Sequence, residues 1–574
     1  MMQNERWMIA AKRADFKKIA GEFHIDQVTA RLIRNRDVVG EEAIGKYLHG
    51  SRADLYPPEQ MKDLPRAAEL LQKAIRDSVR IRVIGDYDID GVMSSCILWR
   101  ALRRLGAVVD VRIPERIRDG YGLNENLVRQ AAADGIQLIL TCDNGIAAAQ
   151  QIALAGELGM QAIVTDHHEI PFRVREDGER EYILPPAEAV IDPKQKDETY
   201  PFSGLCGAAV AWKLVDYLYR LCGLGDAAFA EFIEFVAIAT VGDVMELKDE
   251  NRILVREGLR ALHHTRYPGL LELILQNKLE PEQVDVYHIG FVLGPCLNAS
   301  GRLETADRAL RLMMAETRQE AAPLAQELIE LNASRKALTA EGEQEAVRIV
   351  EESDLIHDRV LVVFLPECHE SLAGIIAGRL KEHFYRPAFV LTRTADGVKG
   401  SGRSIEAYSM YEELCKCGDL LTKFGGHPMA AGISLPEEHV EEFRRRLNAQ
   451  CTLTQEELTP KIVADMAMPF AYVSQGLLQE MELLKPFGNG NPRPLFAQKG
   501  LRPLRPRVFG KNRNVVKLQL QDEAGSVFDA VYFGEGDAFA SYAQSHNAIA
   551  VLYYPSLDTY QGRNTLQMTV TSYR

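Results

Sequence analysis

The chain has 574 residues, of which 46% are hydrophobic, 26% charged and 7% aromatic. At roughly 150 residues per domain this length predicts about three or four domains, and the composition excludes a disordered, collagenous or small disulfide-stapled protein. With 67 Lys and Arg against 81 Asp and Glu the net charge is −14, so any nucleic-acid partner must be met by a local basic patch.

Cysteine usage and the N-terminus bear on cellular location. The nine cysteines are odd in number and scattered, with only Cys415 and Cys417 close together, which indicates neither a disulfide framework nor a zinc ribbon. The N-terminal run lacks the apolar core of a signal peptide, and no run of about 18 uncharged apolar residues occurs. We therefore expect a cytoplasmic protein without membrane association.

The residue pattern changes near position 76. Residues 1–75 carry apolar residues at helical spacing and predict a helical N-terminal lead-in. From 76 to 314 short β-rich runs alternate with helical stretches, which predicts a parallel-sheet α/β domain. Ligands of such sheets bind outside the carboxyl ends of the strands, so polar residues that follow these strands are the first functional signal.

Three further segments follow. Residues 315–352 are one long polar helical stretch and predict a connector helix between two lobes. A second α/β domain is expected over 353–455. Over 456–574 short strands punctuated by Pro and Gly predict a small β-barrel. The expected fold class is therefore α/β, with a C-terminal barrel.

An acidic run follows the first strand of the predicted parallel sheet. Asp86, Asp88 and Asp90 come just after this strand, and alternate positions of an extended segment point the same way. Converging carboxylates repel one another unless a cation is present, and hard divalent ions such as Mg²⁺ and Mn²⁺ prefer oxygen ligands. The alternative is an Asp-rich turn with solvated charges.

Further acidic and histidine residues follow later apolar runs. Asp143 ends one run, and His167 and His168 end another. A lone buried histidine is more often a core residue, but adjacent histidines beside other carboxylate-bearing strand ends indicate metal ligands. Asp243 follows a long apolar stretch and is a fourth member, with an ordinary helix-ending Asp as the alternative.

This set of side chains exceeds the needs of one octahedral ion. It suits two metal ions about 3.5–4 Å apart that share a bridging carboxylate. Two such ions generate a hydroxide near neutral pH and stabilise charge that develops on phosphorus. Hydrolysis of a phosphoester or phosphoanhydride is the matching reaction class.

The chain resembles the RecJ family of single-strand-specific 5′→3′ exonucleases, within the DHH phosphoesterase superfamily. The resemblance rests on motifs that follow one another in the family's order. These motifs are DYDIDG at 86–91, TCDNG at 141–145, TDHH at 165–168, GDV at 242–244, LNASGRLE at 297–304, ESLAGIIAGRL at 370–380, SGRS at 401–404, KFGGHPMAAG at 423–432 and KPFGNGNPRP at 485–494. It implies a DHH phosphoesterase domain, a DHH-associated substrate-binding domain and an OB-type nucleic-acid-binding barrel.

The resemblance also implies roles for individual residues. Two Mn²⁺ or Mg²⁺ ions would be held by Asp86, Asp88, Asp90, Asp143, His167 and Asp243. Asp143 would bridge the ions and take part in catalysis with His167, while His168 would contact the scissile phosphate. Substrate phosphates would be bound by Asn298 and Arg302 in the loop LNASGRLE and, in the second lobe, by Ser401, Arg403, Gly425, Gly426 and His427.

The C-terminal part carries a segregated basic run. From Leu483 through Gln521 there are Lys and Arg residues but no Asp or Glu. This run indicates an electrostatic track for DNA phosphates, with a solvated linker and barrel edge as the alternative. The candidate track residues are Arg502, Arg505, Arg507, Lys511, Arg513 and Lys517, and the candidate stacking aromatics are Phe509, Phe528, Tyr532 and Phe533.

The leading hypothesis is a metal-dependent exonuclease that degrades single-stranded DNA from its 5′ end to 5′-mononucleotides in DNA repair and recombination. The alternatives are a DHH-family phosphoesterase acting on short oligonucleotides or cyclic dinucleotides, and a non-catalytic DNA-binding scaffold on a decayed fold. The resemblance implies single-stranded DNA as the partner, a monomer, and a RecQ-type helicase and a single-strand-binding protein as candidate protein partners.

Overall fold

The computed structural model describes residues 5–115, 122–175, 177–303, 305–395, 397–558 and 565–574. Within these ranges no helix combines the length and apolar character needed to cross a bilayer. The chain starts with β1 (Arg6–Ile9), α1 (Phe16–Phe23), α2 (Gln27–Asn35), α3 (Glu41–His49) and α4 (Leu64–Arg76).

The N-terminal segment, expected to be a helical lead-in, begins with a strand and is divided between two cores. β1 pairs in parallel with residues 461–464 of the C-terminal part. Apolar side chains of α2 and α3, such as Leu32 and Leu48, belong to the barrel core, whereas Leu64 and Leu71 of α4 belong to the core of the first lobe. The predicted helices are present in this segment. The spacing of their apolar residues does not show which distant part of the protein they pack against.

The first lobe is built on a parallel sheet in the order β3-β2-β4-β5-β8. Its elements are β2 (Arg80–Ile84), α5 (Ile89–Arg104), β3 (Val108–Arg112), α6 (Glu125–Ala133), β4 (Leu138–Cys142), α7 (Ala149–Glu157), β5 (Gln161–Thr165), the hairpin β6 (Phe172–Val174) and β7 (Arg180–Tyr182), and β8 (Ala189–Ile191). β4 is buried along its whole length, as expected of a central strand covered on both faces. All carboxyl ends of this sheet therefore meet at one edge.

Helices complete the first lobe and lead out of it. They are α8 (Gly207–Leu221), α9 (Ala227–Gly242), α10 (Asp249–Leu262), α11 (Pro268–Gln276), α12 (Val286–His288), a π-helical turn (Ile289–Leu293), α13 (Gly294–Leu303), α14 (Asp307–Met314) and α15 (Arg318–Glu351). α9 is predominantly apolar and is buried from Phe232 to Val241. α15 is the predicted connector helix, and Thr317 caps its first turn.

The second lobe has a mixed sheet in the order β12-β13-β11-β10-β9, in which only β9 and β10 are parallel. Its elements are β9 (Leu361–Phe364), α16 (Ala373–Phe384), β10 (Ala388–Thr394), β11 (Gly397–Arg403), α17 (Met410–Cys415), β12 (Lys423–His427), β13 (Ala430–Leu435) and α18 (Val440–Gln450). The segment with Ser401 and Arg403 is the central strand β11 of this sheet.

The C-terminal part is a closed barrel. Its elements are β14 (Lys461–Ala464), β15 (Met466–Ala467), α19 (Gln475–Glu482), β16 (Phe496–Phe509), β17 (Val515–Gln521), β18 (Val527–Phe533), α20 (Gly536–Ser545), β19 (Ile549–Asp558) and β20 (Thr565–Tyr573). β16 pairs with both β17 and β19, which closes the sheet. The predicted fold class, with parallel sheet, connector helix, second α/β domain and barrel, is confirmed.

One buried arginine joins the first lobe to the barrel side of the molecule. Arg252 of α10 donates from Nε to the carbonyl of Tyr47 (2.9 Å), from Nη1 to that of Leu484 (2.8 Å) and from Nη2 to that of Leu483 (2.7 Å). Its guanidinium also lies over the ring of Tyr47. A single side chain therefore connects α10, α3 and the segment after α19.

A buried ion pair in the first lobe leads to a stability prediction. Lys213 Nζ lies 2.7 Å from Glu250 Oε1 and also donates to the carbonyl of Tyr56. Because Lys213→Met leaves Glu250 buried and without its cation, we expect the free energy of unfolding to fall by about 3–5 kcal/mol. Urea unfolding followed by tryptophan fluorescence measures this loss.

The control for Lys213→Met is an exposed ion pair of the same lobe. Lys62 Nζ lies 2.7 Å from Asp197, whose side chain is 69% exposed. Lys62→Met should change the unfolding free energy by less than about 1 kcal/mol, because solvent-exposed pairs contribute little. Equal losses of unfolding free energy for the two substitutions would contradict the expectation that breaking the buried pair costs more than breaking the exposed one.

Candidate metal-dependent active site

The acidic run of the first lobe lies at a turn from strand to helix. Asp86 follows β2, Asp88 is the N-cap of α5, and Asp90 lies in its first turn. Asp88 Oδ1 accepts hydrogen bonds from the backbone N–H groups of Asp90 and Gly91, each at 3.0 Å. The expected extended segment is therefore wrong. A tight turn brings the carboxylates together, and Gly91 permits it, because a Cβ there would lie 2.3 Å from the carbonyl oxygen of Asp86.

Asp90 is held in place by a second helix. It is buried, and its two carboxylate oxygens accept hydrogen bonds from the backbone N–H groups of Gly207 (2.6 Å) and Ala208 (2.7 Å). These groups belong to the first turn of α8, where the helix dipole favours negative charge. Asp90 is therefore fixed with its charge facing the neighbouring strand ends.

His167 lies among three carboxylates. Its Nε2 is 3.1 Å from Asp143 Oδ1, 3.5 Å from Asp90 Oδ2 and 3.8 Å from Asp243 Oδ2. Asp143 has a φ of 59°, a left-handed conformation that is rare outside glycine and is often found at functional sites. The sheet edge thus gathers ligands from β4, β5, the α5 turn and the end of α9.

The described residues offer three groups of potential metal ligands, each with its ligand atoms within 4.8 Å of one another. The groups are Asp143, His167 and His168; Asp90, His167 and Asp243; and Asp86, Asp88 and Asp143. Asp143 and His167 each belong to two groups. Every metal ligand expected from the sequence is therefore in this one cluster.

The raised pKa values of the carboxyl groups in this cluster indicate that they need a cation to be ionised together. Burial first, and then the charges of neighbouring carboxylates, raise the pKa of Asp86 and Asp243 to about 8 and that of Asp90 to about 6. The same causes raise the pKa of Asp143 well above its usual value. Among the described residues, buried Asp86 Oδ2 has no hydrogen-bond partner. Oxygen-rich ligands of this kind suit Mg²⁺ or Mn²⁺.

The two histidines have opposite electrostatic surroundings. Burial lowers the pKa of His167 to about 3, which favours the neutral imidazole of a metal ligand. Burial would also lower the pKa of His168, but Asp166 Oδ1, 2.7 Å from His168 Nδ1, raises it to about 9. Asp166 also accepts from the backbone N–H groups of Ile146 and His167. It therefore positions both histidines, a role that the motif alone does not reveal.

A cleft next to the cluster contains the first-lobe residues expected to bind phosphate. Asn298 and Arg302 lie on helix α13, not in a loop. Asn298 Oδ1 accepts a hydrogen bond from the N–H of Ile89 (2.8 Å), so it braces the start of α5. Arg302 Nη1 donates to the carbonyl of Ser371 in the second lobe (3.2 Å). The cleft is lined by Gly242, Gly290, Gly294, Pro295, Asn298, Arg302, Arg335 and Ile375.

The second lobe presents its candidate residues on one face of its sheet. Arg403 Nη1 donates to Ser401 Oγ (3.0 Å), and a Cβ on Gly374 at the start of α16 would lie 2.8 Å from Arg403 Nη2. In the sheet register Arg403 pairs with Ala430, which pairs with His427. Side chains in one such row share a face.

Of the two candidate glycines of the second lobe, Gly425 lies in a row on this face, and Gly426, the next residue of β12, lies in a row of the other face. Gly425 pairs with Gly432, which in turn pairs with Ser401. Gly425, Gly426 and His427 are exposed on β12. A Cβ on Gly425 or Gly432 would meet nothing within 4 Å, so this part of the sheet is open.

The basic run lies on the outer face of the barrel. All six candidate track residues are exposed. Arg507 on β16 pairs in register with Lys517 on β17. Arg513 forms an ion pair with Asp537, and Lys517 Nζ is 3.5 Å from Asp558. The track therefore has cations on its surface, but two of them have acidic neighbours.

The aromatic residues near this run divide into two classes. Phe509 is 47% exposed and Phe533 is 60% exposed, and both pair in register with Val515, so they share the outer face. Phe528 packs on Phe470, and Tyr532 packs on Phe539 in the barrel core. Of these four candidates, Phe509 and Phe533 are the ones with exposed rings.

Two residues near the site were not found from the sequence. Asp192 follows β8 at the same sheet edge, and burial raises its pKa to about 7. The run Ala189 to Ile191 followed by Asp-Pro is a strand-end signal, but a three-residue strand is too short to stand out. Arg335 of α15 lines the cleft, and no motif marks it among the other charged residues of that helix.

Comparisons with known families cover most of the chain. Residues 80–240 match the DHH family, N-terminal domain, residues 357–453 match the DHHA1 domain, and residues 464–572 match the RecJ OB domain. The three regions coincide with the parallel-sheet lobe, the second lobe and the barrel.

Curated relatives and solved structures agree with these matches. The chain is 37% identical to the single-stranded-DNA-specific exonuclease RecJ of Bacillus subtilis over 93% of its own length and 66% of that protein. It is 33% identical to the RecJ exonuclease of Salmonella typhimurium over 94% of both chains. Its fold matches the crystal structure of RecJ with Mn²⁺ from Thermus thermophilus, with a TM-score of 0.83, 27% identity and coverage of 100% of this chain and 80% of that one.

Proposed function

The chain belongs to the RecJ family of single-stranded-DNA-specific exonucleases, and on that premise we propose that it hydrolyses single-stranded DNA from the 5′ end to 5′-mononucleotides. The observation that carries the proposal is the buried cluster in which His167 Nε2 lies within 3.8 Å of Asp90, Asp143 and Asp243. Such a cluster has no evident structural use, because its carboxylates repel one another.

The roles of the cluster residues follow from their surroundings. Six residues would hold two Mn²⁺ or Mg²⁺ ions, with Asp143 as the bridge because it is the one carboxylate that belongs to two of the ligand groups. The bound metal would supply an activated water and neutralise charge on the phosphate. Asp166 keeps His168 protonated near neutral pH, so His168 can donate a hydrogen bond to a phosphate oxygen.

The substrate would span both lobes and the barrel. Arg302 and Arg403, from different lobes, would hold the terminal phosphates together with Ser401, His427 and the open glycine backbone around Gly425. Arg-phosphate contacts are charge-assisted and can be bidentate. Beyond the cleft, the basic outer face of β16 and β17 would bind the following phosphates, with Phe509 and Phe533 beside it.

A substrate comparison tests the proposal against its main alternative. With Mn²⁺ or Mg²⁺ the protein should degrade a 5′-phosphorylated single strand, and a chelator should stop the reaction. Faster hydrolysis of cyclic dinucleotides than of the single strand would instead support the short-substrate phosphoesterase. The basic barrel favours the long substrate, because a dinucleotide needs no such surface.

The exposed cations of the barrel lead to a prediction about how single-strand binding depends on salt concentration. Arg502→Ala/Arg507→Ala removes two exposed cations of β16, and each lost phosphate contact should lower the log–log salt slope of single-strand binding by about 0.7. We therefore expect the slope to fall by about 1.4. Fluorescence anisotropy with a labelled strand at a series of salt concentrations measures it.

Substitution is preferable to deletion of the barrel, because α2 and α3 pack in the barrel core and would be left exposed. The matched control is Arg348→Ala/Arg445→Ala, which removes two exposed, ion-paired cations of α15 and α18. This control should leave the slope unchanged. A slope that is unaffected by the β16 substitutions would contradict the proposed track.

Other properties stay predictions from the family resemblance. These are a cytoplasmic location, a monomeric state, cooperation with a RecQ-type helicase and a single-strand-binding protein, and a role in DNA repair and recombination. Size-exclusion chromatography with light scattering tests the monomer, and pull-down from purified components tests each partner.

A further inference from the structure

Two aromatic side chains form an exposed stacked pair on the first lobe. The rings of Tyr287 and Phe291 have centroids 5.1 Å apart and planes inclined by 29°. Tyr287 is 60% exposed and Phe291 is 67% exposed. Single exposed apolar residues are ordinary, but two large rings stacked side by side provide an aromatic surface that the described part of the chain leaves exposed.

This pair lies on the helical stretch that also carries candidate phosphate ligands. The stretch runs from Val286 through the π-helical turn to Leu303. Gly290 and Gly294 line the cleft together with Asn298 and Arg302. At 1.5 Å per residue, Phe291 lies about 10 Å and Tyr287 about 16 Å along this stretch from Asn298. The aromatic pair therefore lies on the same helical stretch as the cleft-lining residues, toward its Val286 end.

The π-helical turn and the first residue of α13 pack against apolar neighbours of the candidate metal ligands. A Cβ on Gly294 would lie 3.4 Å from Ile89, which separates Asp88 from Asp90. A Cβ on Gly290 would lie 3.9 Å from Val241, close to Asp243 in the chain. The position of the aromatic pair is thus fixed relative to the candidate catalytic residues.

The other side of the pair is next to the segment that leads into the barrel. A Cβ on Gly488 would lie 3.5 Å from Val286, the residue before Tyr287. In the same segment Asn489 Nδ2 donates to the carbonyl of Val244 (2.7 Å), and its own carbonyl accepts from the N–H of Leu247 (2.8 Å). The aromatic pair therefore lies between the metal centre and the barrel.

We propose that Tyr287 and Phe291 form a stacking platform for nucleobases of the bound single strand between the metal centre and the barrel. The proposal rests on the proposed function, since it names a subsite of the same substrate. Every base has a π-face, so stacking binds any sequence. In a duplex the faces of the bases are already covered by their neighbours, and the platform therefore favours unpaired strands.

The first test is a ring deletion. Tyr287→Ala/Phe291→Ala should raise KM for a 5′-phosphorylated single strand by about 5- to 100-fold, the effect expected for losing stacked bases. The value of kcat should change by less than about twofold, because no metal ligand is touched. Tyr287→Phe/Phe291→Tyr keeps both rings and should restore KM. Tyr411→Ala removes an exposed aromatic of the second lobe and should leave KM unchanged.

The second test removes the bases instead of the rings. A window of abasic nucleotides is moved stepwise along the strand from the 5′ end, and KM is measured for each position. In the wild-type protein one window position should raise KM, and in the double alanine variant that position should cause no further increase. An unchanged KM in the variant, or an abasic penalty that persists there, would overturn the platform. A wild-type protein that does not degrade the strand contradicts the proposed function itself.

Discussion

Asp143→Asn is expected to lower turnover of single-stranded DNA by at least a hundredfold while leaving the protein folded. Asparagine keeps the shape of the side chain and tolerates the left-handed φ of 59° at this position. It removes the charge that belongs to two of the three ligand groups, so both of the proposed metal sites would lose a ligand. Steady-state kinetics at saturating Mn²⁺ measures the loss. Turnover above about one tenth of wild type, a barrier change below about 1.4 kcal/mol, would contradict the bridging role.

The same variant has an expected effect on metal-linked stability. Burial and the charges of Asp90, Asp88 and Asp86 raise the pKa of Asp143, so ionising it opposes folding and the penalty grows as pH rises above the ordinary Asp range. Without metal, Asp143→Asn should therefore be at least as stable as wild type at pH 8. Because metal binding stabilises the folded state, Mn²⁺ should raise the melting temperature of wild type more than that of the variant.

Asp192→Asn is the matched control for Asp143→Asn. Asp192 lies at the same sheet edge, and burial raises its pKa to about 7, but it belongs to none of the ligand groups found among the described residues. Its substitution should keep turnover within about tenfold of wild type and leave the Mn²⁺-induced stabilisation intact. Equal losses for the two variants would indicate that any change of charge at this edge disables the enzyme.

The metal cluster could be predicted because a parallel sheet imposes its geometry. The ends of β2, β4 and β5 must meet at one edge, so Asp86, Asp143 and His167 could be placed together from strand order alone. The details within the cluster could not. The turn before α5 depends on the close approach at Gly91, and the support of Asp90 comes from α8, more than a hundred residues further along the chain.

Part of the barrel could not be predicted from the local sequence pattern. β16 is its longest strand, but its run contains Pro503 and Pro506, which argue against a strand. The register of β16 with β17 shifts between Leu504 and Arg507, and Pro506 falls in this irregularity, where no ladder hydrogen bond is required of it. The packing of α2 and α3 into the barrel could not be predicted either, since the apolar face of a helix does not identify a partner more than 400 residues away.

Arg302→Ala and Arg403→Ala are expected to impair single-strand hydrolysis strongly while metal binding persists. Arg302 reaches the second lobe through the carbonyl of Ser371, and Arg403 lies beside Gly374 at the start of α16. The two guanidinium groups therefore face the junction of the lobes, next to a helix N-terminus that favours anions. Losing a charge-assisted phosphate contact costs about 1.5–3 kcal/mol, so kcat/KM should fall by about 10- to 150-fold for each variant.

Two controls separate phosphate binding from general surface charge. Arg311→Ala removes an exposed arginine of α14, and Arg393→Ala removes one of β10 that is ion-paired with Glu437. Neither should change kcat/KM by more than about twofold. Isothermal titration with Mn²⁺ should give the same affinity for all four variants and the wild type, since none of the substituted residues belongs to a ligand group.

The arginine variants also test whether the strand is degraded from its 5′ end. If both arginines hold the terminal 5′ phosphate, removing that phosphate from the substrate should slow the wild-type protein and have little effect on Arg302→Ala or Arg403→Ala. A strand labelled at its 5′ end should lose its label first, before the same strand labelled at its 3′ end, and a blunt duplex should resist because its end cannot enter a cleft built for one strand. Early loss of the 3′ label would place the terminal phosphate elsewhere. Equal digestion of the duplex would mean that the cleft does not select the strand. After either result the metal cluster would still be the centre of a phosphoesterase. The proposed binding of the 5′ end of a single strand between the two lobes would be wrong.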